Sequence, residues 1–116
     1  MRRHEDGWLL KARGAPGGTL VRVVAPRVPL DGANTRALCS LLAPFLSAAG
    51  PCRLTVVLVN VACVSGLALR VLALLHARLS AGGGRLALSD PPGAVDEDAQ
   101  AMGLTQALNV RRHGVR

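Results

Sequence analysis

Residues 54–88 read LTVVLVNVACVSGLALRVLALLHARLSAGGGRLAL, and the stretch changes character once, at Ser65-Gly66. Before that corner, Val56, Val57, Val59, Val61 and Val64 dominate. After it, Leu67 to Leu79 is leucine and alanine with Arg70, His76 and Arg78 spaced through it. β-branched side chains fit a pleated surface, whereas Leu and Ala lose little freedom in a helix, so one apolar run is two elements. The Gly82-Gly83-Gly84 turn and the short run Leu86-Ala87-Leu88 complete a strand–helix–strand crossover. In such units the loop after the first strand is the usual working surface.

Outward from that unit, the pattern predicts strands over 8–12, 19–24, 54–60 and 85–89, and helices over 34–48, 66–80 and 94–102. The first two strands form a hairpin around the Gly14 to Gly18 turn, which lacks the Gly-Lys-Ser/Thr ending of a phosphate loop. Asp31 stands where a helix cap belongs, and Leu38, Leu41, Leu42 and Phe45 repeat at i, i+3, i+4 and i+7 behind it. Pro44 is expected to kink or thin that helix near its end. Asp96, Glu97 and Asp98 suit the first turn of the third helix, and Leu104, Leu108 and Val110 suit a closing turn or strand. The fold class is α/β, one domain with a small mixed β-sheet packed against helices. Residues 1–7 are expected to be a flexible leader, 8–110 the domain and 111–116 a basic tail.

The chain has 116 residues, 50% of them apolar, with one Trp, one Phe and no Tyr. That size suits a single aliphatic core, and it leaves no aromatic platforms for stacking bases. Formal charge is +7, but residues 4–110 carry nine basic against seven acidic groups, so the excess sits in the tails. This distribution argues against a nucleic-acid footprint. Cys39, Cys52 and Cys63 are odd in number and form no Cys-x-x-Cys pair, a pattern of reduced thiols in a cytoplasmic protein and not of a disulfide framework or a zinc site. The apolar middle contains Asn60 and is closed by Arg70, short of the roughly 20 residues that a membrane-spanning helix needs.

Catalytic chemistry is hard to assemble. Ser65, His76 and Asp31 or Asp90 supply the residue types of a hydrolytic triad, but there is no Gly-x-Ser-x-Gly elbow and His76 lies inside a leucine-rich helix. His4, His76 and His113 are too far apart in sequence to suggest a metal site. Neither an enzyme nor a cofactor is expected. On a helical wheel, Ala68, Val71, Leu72, Leu75 and Leu79 gather toward the sheet. Arg70, Ala73, Leu74, Ala77 and Arg78, with Leu67 beside them, fall on the other side. Two leucines framed by two arginines then form a partner surface, unless the C-terminal segment covers Leu67 and Leu74.

Leu30-Asp31-Gly32-Ala33-Asn34, Val56 to Val61, Ser65-Gly66-Leu67-Ala68-Leu69, Leu75-His76-Ala77-Arg78-Leu79 and Gly83-Gly84-Arg85-Leu86 together resemble the STAS domain, the fold of anti-sigma-factor antagonists. Asp90 to Val95, continuing to Met102-Gly103-Leu104, is similar to that family's last loop and helix. The resemblance implies a cytoplasmic, bacterial, non-enzymatic module that regulates transcription by partner switching on an anti-sigma factor or a serine-kinase-like regulator. It also implies a loop Asp-Ser-Ser-Gly after the central strand, whose first serine is phosphorylated to end binding.

Counted without gaps from Gly83-Gly84, Ser65 matches the family's Asp, Gly66 the phosphorylated serine, Leu67 the second serine and Ala68 the glycine. The acceptor is then missing, and Ser65 becomes one only if the loop slides by a residue. Asp31 matches the acidic residue ahead of the family's first helix. The expected partner-binding residues are Asp31, Ser65, Gly66, Leu67, Arg70, Leu74 and Arg78. The alternative readings are a structural or scaffold subunit of a larger assembly, including a homo-oligomer, and binding of a nucleotide or lipid at the Ser65 loop.

Overall fold

The computed structural model describes residues 2–3, 7–47, 50–59, 61–89 and 109–111. In chain order these form β1 (Arg2–Arg3), β2 (Leu9–Ala15), β3 (Gly18–Val24), α1 (Gly32–Ser47), β4 (Cys52–Val57), α2 (Gly66–Ala81), β5 (Arg85–Ser89) and β6 (Asn109–Arg111). The six strands make one sheet in sequence order. β1, β2 and β3 pair antiparallel, and β3, β4, β5 and β6 pair parallel. The mixed sheet and its helices are those of an α/β domain.

Parallel neighbours cannot be joined by a tight turn, so α1 carries the chain from β3 to β4 and α2 from β4 to β5. Both crossovers step the same way along the sheet. Their right-handed preference puts both helices on one face, where they pack against each other. Between helices and sheet lies an aliphatic core that includes Val23, Leu38, Leu54, Val56, Leu69, Leu72, Leu86 and Leu88, all almost completely buried. Trp8, ahead of β2, is also fully buried, and its indole Nε1–H donates to the Asn34 carbonyl at 3.2 Å. The single tryptophan thus ties the hairpin to the first turn of α1.

Element types follow the sequence and several boundaries shift. β2 runs on through Gly14 to Ala15, because Ala15 pairs with Gly18 and only Pro16 and Gly17 remain in the turn. Gly17 takes φ +81°, which glycine adopts without strain. α1 begins at Gly32, two residues earlier than its apolar stripe suggests, because Asp31 caps it there. It also runs through Pro44 to Ser47 with Pro44 exposed, so the proline costs Ser40 a backbone donor near the helix end without stopping it. β4 ends at Val57 although the valines continue, and Leu58 N–H makes one last bond, to the Ser89 carbonyl at 2.8 Å.

Within α2 the buried arc is Ala68, Leu69, Leu72, Leu75 and Leu79. It is rotated from the wheel reading, so that Leu69 is buried while Val71 and Ala73 are half-buried. Residues 1–7 are not wholly a leader, since Arg2 pairs with Leu10 and Arg3 with Leu9 at the sheet edge. A two-residue pairing made by backbone bonds leaves no hydrophobic pattern to read. Arg111, assigned to the tail, pairs with Ser89 in β6. The expected helix over 94–102 lies outside the described residues, as do Leu104 and Leu108.

The glycine turn after α2 is set by close approach. Gly83 has φ +88°, Gly84 N–H donates to the Leu79 carbonyl at 2.9 Å, and a Cβ on Gly84 would run into the Cys52 carbonyl oxygen on β4. Gly84→Ala is expected to cost about 1–3 kcal/mol, the usual range for overpacking. Gly14→Ala, where the added methyl meets nothing within 4 Å, is expected to be close to neutral. Urea denaturation of the two variants checks the contrast.

Candidate functional site

Two loops meet at the carboxyl ends of β3 and β4. Leu30 and Val64 form a parallel bridge, with Leu30 N–H donating to the Cys63 carbonyl at 3.0 Å and Ser65 N–H to the Leu30 carbonyl at 2.9 Å. The next residue on one side is Asp31, and on the other side Ser65, so the starts of α1 and α2 lie next to each other. Residues 31 and 65, far apart in sequence, are brought to one end of the sheet.

Both side chains cap the helix they precede. Asp31 Oδ1 accepts the Asn34 N–H at 2.9 Å, and the Asp31 carbonyl accepts the Thr35 Oγ1 hydroxyl at 2.9 Å. Asn34 Nδ2 donates to the Pro29 carbonyl at 2.9 Å, pinning the loop ahead of the cap. Ser65 Oγ accepts the Ala68 N–H at 3.1 Å, and Ser65 keeps the extended backbone that an N-cap requires, φ −70° and ψ 159°. Each helix N-terminus leaves orphan donors and a partial positive charge that these oxygens answer.

Gly66 opens α2 and is exposed. Leu67 is 54% exposed yet also reaches the neighbouring helix, because a Cβ on Gly32 would stand 2.6 Å from its Cδ2. Gly32 is therefore small to admit Leu67. Further along α2, Leu74 is 71% exposed, and Arg70 and Arg78 are exposed as well. Val28 and Val59, 43% and 61% exposed, stand on the same two loops as Leu30 and Val64. Sequence reading misses both: Val59 continues a valine run assigned to the strand, and Val28 sits among prolines with no period to place it.

The triad residues do not come together. His76 lies about three turns, roughly 16 Å, along α2 from Ser65. Its Nδ1 accepts the Leu86 N–H at 3.0 Å, so the ring clamps α2 to the first residues of β5. Asp90 lies outside the described residues. No group of three His, Cys, Asp or Glu side chains able to hold a metal occurs among the described residues. No helix among them is long and apolar enough to cross a membrane.

Burial pushes the Cys39 thiol above its ordinary pKa, an effect that the Arg78 charge on α2 partly offsets. Burial also pushes the Cys52 thiol up. Cys63 is exposed on the Leu30–Val64 loop, and all three cysteines are free. Since the thiolate is the reactive form, Cys63 is expected to react first and fastest with an aromatic disulfide reagent at mildly alkaline pH. Cys39 and Cys52 should react at comparable rates only after denaturant is added, and peptide mapping of the labelled sites reads the order.

Comparison with known families matches the model described as STAS domain to residues 12–113. Among solved structures, a crystal structure of TM1081 from Thermotoga maritima superposes with a TM-score of 0.65 at 17% identity, covering 98% of this chain and 85% of that one. The anti-sigma factor antagonist SpoIIAA in its unphosphorylated form gives a TM-score of 0.64 at 13% identity, covering 92% and 90%. The comparison with curated proteins returns no match.

Proposed function

This chain belongs to the STAS domain family, and we propose that it acts there as an anti-sigma-factor-antagonist-like module, binding an anti-sigma factor or a related regulator of bacterial transcription in the cytoplasm. The observation that carries this reading is the pairing of the Asp31 and Ser65 caps through the Leu30–Val64 bridge, beside an exposed Leu67. The proposed contact surface is that end of the sheet, comprising Asp31, Ser65, Gly66 and Leu67, continued along Arg70, Leu74 and Arg78. Exposed leucines beside arginines combine apolar burial with charge-assisted pairing, and arginine is enriched among residues that dominate interface energy.

Binding is proposed to be independent of phosphorylation. Gly66 has no hydroxyl to accept phosphate, and the Ser65 oxygen is already occupied in capping α2. A phosphate added there would bring roughly −1.5 to −2 charge beside Asp31. A subunit role in a larger assembly is the second reading, supported by Val28, Val59 and Leu67 exposed together at the two loops. Sedimentation of the isolated protein as a stable oligomer would favour it.

Leu74→Asp is expected to leave the fold intact, since Leu74 is largely solvated, and to weaken capture of the anti-sigma partner at least about tenfold, the loss expected for a contact worth 1.4 kcal/mol. Titration calorimetry with circular dichroism separates the two effects, and normal binding by a folded variant overturns the surface. Incubated with the partner kinase and ATP, the protein should take up no stoichiometric phosphate. Mass spectrometry placing a full phosphate on Ser65 would make it a working switch instead.

A further inference from the structure

With α1 and α2 on one face, the opposite face of the sheet carries the alternate side chains of β2 to β5. Inward go Val21 and Val23, Leu54 and Val56, Leu86 and Leu88. Outward, a concavity of about 510 Å³ is lined by Lys11, Arg13, Arg22, Arg53 and Arg85 around Leu20, Thr55 and Ala87. The strand register makes the crowding of charge specific. Lys11 stands directly opposite Arg22, and Arg53 directly opposite Arg85. Like charges across neighbouring strands are destabilising, and an ordinary solvated face intersperses both signs. Among the described residues no carboxylate lines this concavity, and Asp31, the sole acidic residue among them, caps α1.

Five cations held around one hollow call for a counter-charge, and the lining narrows its kind. No aromatic side chain is present to stack a base. Among the described residues the exposed large apolar side chains are Val28, Val59, Leu67 and Leu74, none of them in this lining, so the described lining offers no apolar anchor for a bilayer. The volume falls in the range of small-ligand sites. Arginine forks match phosphate oxygens two at a time. The short side chains Thr55 and Ala87 leave the floor low between long flanking arms. An acidic peptide would supply one charge per side chain at a cost in ordering each, whereas a phosphate chain carries the needed charge in one compact unit.

We propose that the basic concavity on the outward face of the sheet binds a linear oligophosphate, an anion of two or more linked phosphates, at a site separate from the partner surface on α2. Arg53 and Arg85 grip it from one side and Lys11 and Arg22 from the other, and its charge relieves both like-charge pairings. The bound anion should therefore stabilise the fold.

Calorimetry and thermal melting of the full chain with sodium tripolyphosphate, at about 0.15 M salt to screen diffuse attraction, test the site. One-to-one binding and a raised melting temperature are expected, with inorganic monophosphate far weaker. The double variant Arg53→Gln, Arg85→Gln should melt no lower than the parent without ligand and should bind at least about tenfold more weakly. Arg70→Gln, Arg78→Gln on α2 should bind as the parent does. ATP binding as tightly as tripolyphosphate would identify the phosphate chain as the whole ligand, and tighter ATP binding would identify a nucleotide as its source. The proposal is overturned by absence of tripolyphosphate binding, by equal loss in both double variants, or by tighter binding of a polyglutamate peptide, a short DNA duplex or anionic vesicles.

Discussion

The parallel pairing of β3 with β4 is the constraint from which the rest of the molecule follows. Thr19 to Val24 lie alongside Cys52 to Val57 in register, and strands that run the same way need a crossover to return the chain. α1 makes that return, and α2 makes the next. Because both are right-handed steps in one direction, both helices bury the same face. The carboxyl ends of β3 and β4 are left side by side, so the two loops touch through Leu30 and Val64. One sheet geometry therefore yields a face filled by α1 and α2, a face that carries the basic side chains of β2 to β5, and a shared loop end.

At that loop end, structural and functional demands fall on the same atoms. Asp31 and Ser65 are each engaged as N-caps, a task worth about 1 kcal/mol apiece. Their polar side chains are thus explained by helix termination alone, and the less ordinary features are the apolar ones around them. Leu67 lies over Gly32 while keeping half its surface in water. Val28 and Val59 are also out in solvent. A loop built this way offers contact area and little acid–base chemistry, in keeping with His76, about three turns along α2, being committed to Leu86 N–H on β5.

Charge shows how much a linear count conceals. Over residues 4–110 nine basic groups face seven acidic ones, which reads as a nearly balanced body. Folding gathers five of the nine cations on one face, because period-two alternation sends every second residue of β2 to β5 outward and those positions hold Lys11, Arg13, Arg22, Arg53 and Arg85. Two of the cross-strand pairings then set cation against cation, a cost that no composition records.

What the sequence determined by itself is local. The change from valine to leucine and alanine at Ser65-Gly66 separated β4 from α2, the i, i+3, i+4, i+7 stripe marked α1, and the glycine turn announced β5. These signals work because periodicity and caps act within a few residues. Even the family resemblance was carried by such short segments and their order. Tertiary structure alone decided which loops meet, that Leu69 is buried where the wheel placed Val71, that Arg2–Arg3 extends the sheet, and that five cations share one face. Each of those depends on cross-strand register and on which side of the sheet a crossover lies. Such relations join residues far apart in the chain, and they leave no period in the sequence to read.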